Sequence, residues 1–70
     1  MPNKANEVLI RLRGKKSRAE VAQALGLTER TLASYERGER IPRDDTKKKI
    51  AKYYNRSVTY IFFSNSTHEL

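Results

Sequence analysis

Residues 17–38 read SRAEVAQALGLTERTLASYERG, and their spacing predicts two short helices joined by a tight turn. Ser17, followed three places on by Glu20, has the form of a capping box. In that box the serine hydroxyl accepts from the amide of Glu20 while the carboxylate reaches back to the amide of Ser17. A helix is expected from Arg18. Val21, Ala22 and Leu25 lie on one stripe of it, and Gly26 supplies the left-handed or close-packed position that ends it. Thr28 then caps a further helix that ends near Gly38 and turns Leu32 and Tyr35 inward. Counted from Arg18, apolar residues fill the fourth, eighth, tenth, fifteenth and eighteenth places (Val21, Leu25, Leu27, Leu32, Tyr35). Ala22 and Gly26 occupy the fifth and ninth, where the two backbones come closest. A helix-turn-helix over residues 18–37 needs this pattern, and a hairpin that merely packs has no reason to place alanine and glycine there.

Outward from this stretch the periodicity adds three more helices. From Lys4 to Arg13, Val8, Leu9 and Leu12 recur at helical spacing until Gly14 closes the run. Past Ile41, Pro42 favours a helix start, and Asp44 and Asp45 put negative charge where the helix dipole accepts it. That helix should run to about Tyr54, with Thr46, Ile50, Ala51 and Tyr53 or Tyr54 inward and the lysines at 47–49 solvated. Asn55 ends it, and Ser57 caps a short last helix carrying Val58, Ile61 and Phe62. A polar tail is expected over residues 64–70. The reading is one all-α domain of five helices spanning residues 1–70.

Composition narrows the function classes. Seventy residues with 15 Lys+Arg against 8 Asp+Glu carry a net charge of +7, and the pI is about 10.1. A domain so short buries only about 60% of its unfolded surface, which leaves little room for a deep catalytic cavity. The charge asks for a polyanionic partner. With no cysteine there is no disulfide framework or thiolate metal site. The longest apolar runs, Val8-Leu9-Ile10 and Tyr60-Ile61-Phe62-Phe63, fall far short of the roughly 18 residues of a membrane span. The first residues lack the features of a secretory signal, so a cytoplasmic location is expected. Catalysis finds no support. Asp44 and Asp45 are explained by the dipole, and His68 has no cysteine or second histidine with which to hold a metal. Neither a metal nor a cofactor is expected.

Residues 17–38, together with Ile41-Pro42 and Ser57-Val-Thr-Tyr-Ile-Phe62, resemble the Cro and phage-repressor (Xre) type of helix-turn-helix regulator over roughly residues 8–63. The Tyr35-Glu-Arg-Gly38 block with its downstream proline makes the resemblance specific. It implies a compact five-helix, lambda-repressor-like bundle that binds a near-palindromic operator in double-stranded DNA as a homodimer, with the third helix in the major groove. It further implies a transcriptional regulator, in the first instance a repressor of phage or mobile-element type. Two departures stand out. The loop Gly14-Lys15-Lys16 is short and basic, and Asp44 and Lys47 stand where many relatives carry apolar side chains. An arginine of the first helix usually pairs with the glutamate matching Glu36. Counting back without a gap selects Arg11, the Leu-Arg pattern with a shortened loop selects Arg13, and we favour Arg13.

In a helix opening at Glu29, the side chains opposite Leu32 and Tyr35 are Glu29, Arg30, Ala33, Ser34 and Arg37. Arg30 has the geometry for a bidentate contact to guanine O6 and N7. Ser34 suits either base type and Ala33 a thymine methyl. Glu29 could accept from a cytosine amino group, although a carboxylate beside phosphates carries a cost and the helix dipole is the better account of its position. The resemblance places Ser17, Arg18, Thr28, Arg37, Arg40 and Arg43 on the phosphates, where contacts hold register without reading sequence. It also places Tyr60, Phe62 and Phe63 near the dyad of a dimer, and an equally open alternative is that Phe62 and Phe63 fold back over the first helix. With about four to six phosphates neutralised per monomer, affinity should fall with salt at a log–log slope near −0.9 per phosphate. The rival reading is a protein-interaction module, such as an antitoxin or adaptor, that uses the C-terminal aromatic surface. RNA is disfavoured because its major groove is too narrow for a helix.

Overall fold

The computed structural model describes residues 5–63. Five helices follow in order: α1 (Ala5–Arg13), α2 (Arg18–Leu25), α3 (Glu29–Glu36), α4 (Asp44–Tyr54) and α5 (Val58–Phe62). The described residues contain no strand. The expected polar tail at 64–70, His68 and the expected start of α1 at Lys4 lie outside the described residues.

Three of the helix starts are written locally. The hydroxyls of Ser17, Thr28 and Ser57 accept from the amides of Glu20, Thr31 and Tyr60 at 3.1, 3.1 and 2.9 Å. Each satisfies an amide that would otherwise lack a partner in the first turn. α4 starts differently: it opens at Asp44 rather than at Pro42, and its cap residue Arg43 makes no side-chain cap bond. There the acidic pair Asp44 and Asp45 meets the dipole instead.

The turn between α2 and α3 depends on Gly26, which adopts φ 73° and lets the amide of Leu27 reach the carbonyl of Ala22 at 2.8 Å. Gly38 does the same after α3 at φ 77°, and there the amides of Glu39 and Arg40 return to the carbonyl of Ser34. A Cβ at Gly38 would meet Asn6 at 3.5 Å, an ordinary van der Waals contact, so it is the positive φ that a side chain there would strain.

Leu9, Val21, Leu32, Ile50 and Ile61, one from each helix, are the apolar centre, none more than 1% exposed. α3 packs on both α1 and α2, while α5 closes against α1 and α4. Two expectations change here. Phe62, assigned to a dimer surface, is 2% exposed and belongs to the core, because α5 lays it against the other helices. Lys47 is half-buried rather than solvated: its ammonium lies 5.5 and 4.9 Å from the ring centres of Phe62 and Phe63.

Candidate nucleic-acid interface

α3 presents a narrower outer face than its sequence suggests. Glu29 and Arg30 at its start and Arg37 just past its end are exposed. Ala33 and Ser34, expected beside them, are buried at 6% and 8% exposure. The Ser34 hydroxyl donates to the carbonyl of Thr31 at 2.7 Å, and the loop after Gly38 bonds back to the Ser34 carbonyl. Small side chains in the middle of a two-turn helix are covered by what flanks them. The outermost groups are thus the long ones at the two ends.

Thr31, which the sequence did not single out, stands half-buried in the first turn and receives a hydrogen bond from the Thr28 hydroxyl at 2.9 Å. Its only sequence signal was a second hydroxyl three places after a cap. Ser17 and Thr28 are exposed at the starts of α2 and α3. Arg37, Arg40 and Arg43 are exposed through the segment joining α3 to α4. Arg37 lies 4.0 Å from Glu39, a solvated pair that leaves the guanidinium available to a stronger anion.

Behind this face Glu36 has no exposed side-chain surface. Its two oxygens accept separately: Oε2 from Nε of Arg13 at 2.8 Å, Oε1 from Nε of Arg18 at 2.9 Å. The partner from α1 is therefore Arg13 and not Arg11, which is exposed. Arg13 also donates from Nη1 to the carbonyl of Lys16 at 2.8 Å, stitching the short basic loop to α1. The hydrogen bond to Glu36 pushes the Arg13 guanidinium still further above its ordinary value. Arg18, expected on a phosphate, thus has its Nε committed to Glu36, while its side chain is 36% exposed. One carboxylate joins α1, α2 and α3, holding the two helices of the turn in fixed relation.

Tyr54 lies close enough to feel the same carboxylate. Burial first, and then the negative charge of Glu36, push its phenol up to about 12. Its hydroxyl is buried without a hydrogen-bond partner among the described residues.

No group of acidic, histidine or cysteine side chains able to hold a metal occurs among the described residues. None of the described helices is long and apolar enough to cross a membrane. Exposed cations at the start of α3, just past its end and along the segment that follows it are suited to gripping a regular polyanion.

Comparison with known proteins agrees. A helix-turn-helix family model matches residues 9–61. The solution structure of an SOS-response transcriptional repressor, LexA from Eubacterium rectale, superposes with a TM-score of 0.79 at 23% identity, over 84% of this chain and 65% of that one. No curated protein matches the chain. The chain belongs to the helix-turn-helix family of Xre, Cro and C1 type.

Proposed function

We propose that the protein reads an operator in double-stranded DNA with the first turn of α3 and represses by occupying it, in the manner of phage and mobile-element regulators acting in the cytoplasm. The observation that carries this reading is the exposure of Arg30 at the start of α3, together with exposed Arg37, Arg40 and Arg43 after its end. Arg30 makes the bidentate base contact, with Glu29 beside it. Ala33 and Ser34 contribute only the little surface left to them. Ser17, Arg18, Thr28, Arg37, Arg40 and Arg43 hold the phosphates, and the Nη groups of Arg18 serve this role while Nε stays on Glu36.

The protein acts as a homodimer on a near-palindromic site. Tyr60 and Phe63, 42% and 45% exposed, supply the two-fold contact. Half-sites then fall about 34–36 Å apart.

Selecting bound duplexes from a random pool at stated salt tests the reading directly. Arg30→Ala should relax preference at one base pair, by about 1–3 kcal/mol of discrimination, with the salt slope changed little. An unchanged sequence preference would refute the assignment of Arg30.

A further inference from the structure

A second basic surface lies apart from α3. The C-terminal end of α2 and the last turns of α4 enclose an open groove of about 440 Å³, lined by Gln23, Ala24, Leu25, Lys49, Lys52 and Tyr53 among others. None of its lining residues comes from α3 or from the segment that joins α3 to α4. Its floor is apolar and its rim carries two exposed ammonium groups, at Lys49 and Lys52. Neither takes part in an ion pair among the described residues, whose ion pairs are those of Glu36 and Glu39.

A third ammonium is placed against Tyr53, one of the lining residues. Lys16 donates to the Tyr53 hydroxyl at 3.2 Å and stands 5.0 Å from the centre of the Tyr53 ring. Like charges gathered around an apolar floor repel one another, and an anion laid between them relieves that repulsion.

The chemistry distinguishes between two kinds of anion. A single-stranded nucleic acid would need an open aromatic face on which to stack a base. Tyr53 offers a poor one, since Lys16 stands 5.0 Å from its ring centre and Tyr54 packs at a steep angle to it at 5.1 Å. Exposed Ala24, with the buried Leu25 beneath it, instead suits an aliphatic side chain, and flexible lysines on the rim suit carboxylates as point charges. We propose that this groove binds an acidic, leucine-bearing peptide segment of a partner protein, on a surface separate from the operator-reading face. The regulator could then engage a protein while seated on DNA.

The test is titration of the isotope-labelled full chain with a synthetic peptide of aspartates flanking one leucine, followed by amide chemical shifts. Shifts should saturate at residues 23–26 and at Lys49, Lys52 and Tyr53. The same peptide with asparagine in place of aspartate should bind at least about tenfold more weakly, because charge complementarity supplies the attraction.

Two variants that remove equal charge separate the surfaces. Lys49→Gln with Lys52→Gln should weaken the peptide about tenfold and selected duplexes less than about threefold, while Arg40→Gln with Arg43→Gln should do the reverse. Equal weakening of the peptide by both pairs would overturn the proposal. So would shifts concentrated on α3, undiminished binding of the asparagine peptide, or random-sequence duplex DNA that moves the same lysine-side amides with higher affinity than the peptide. Failure of the peptide arm leaves the operator measurements of the same variants intact, so the two readings fall separately.

Discussion

A carboxylate with no exposed side-chain surface must be neutralised by its neighbours, and at Glu36 two guanidinium groups do so from two other helices. Removing it leaves Arg13, only 18% exposed, without its counter-charge. Glu36→Ala should therefore cost about 3–5 kcal/mol in urea denaturation, and Glu36→Gln less, because an acceptor oxygen survives. Tyr54 makes the opposite prediction. Its buried hydroxyl has no hydrogen-bond partner among the described residues, so Tyr54→Phe should leave stability at neutral pH unchanged or raise it by up to about 1 kcal/mol. The phenol also titrates later in the folded chain than in the unfolded one, so the folded state holds the proton more tightly. By linkage its contribution is intact below the unfolded value near 10 and is lost as pH rises toward 12. Wild type should accordingly lose more stability than Tyr54→Phe across that window, in paired denaturation curves.

At the level of single elements, short helices depend on their ends. α2 and α3 are 8 residues each, too short to persist alone in water. Thr28 holds the start of α3 through the Thr31 amide and also bonds the Thr31 hydroxyl. Thr28→Ala should destabilise the domain by about 1 kcal/mol, and Thr28→Ser should restore most of it. Amide exchange in the first turn of α3 should rise together with the loss of stability. If exchange there stayed unchanged, the cap would not be what orders the end that carries Glu29 and Arg30. These boundaries were legible in the sequence because capping is a conversation between residues three or four apart. Ser17, Thr28 and Ser57 were all read correctly as caps for that reason, as were the glycine ends at Gly26 and Gly38, although Ser17 caps through its hydroxyl alone and not in the reciprocal box with the Glu20 carboxylate. α4 was read less well: Pro42 can open a helix, yet the chain stays extended to Arg43 before the acidic pair begins it.

Across the whole molecule the C-terminal aromatics divide the work of folding from that of surface contact. Phe62 is 2% exposed and Phe63 is 45% exposed, although they are neighbours in sequence. Phe62→Ala should cost about 3–5 kcal/mol, enough to unfold much of so small a domain. Phe63→Ala should change stability by no more than about 0.5 kcal/mol, while weakening self-association in sedimentation if the proposed dyad lies there.

The number and order of the helices, the turn at Gly26 and the outward reach of Arg30 were all implicit in residue order, since periodicity and capping act over a few residues. Three features were not. Which of two phenylalanines is core, whether Ala33 and Ser34 reach the surface, and whether Arg18 answers to Glu36 all depend on where distant segments come to rest. α5 lands on α1 and α4, the loop after Gly38 folds back on α3, and three helices converge on one carboxylate. Burial and ion pairing are properties of neighbours in space, and a residue's chain neighbours carry no record of them.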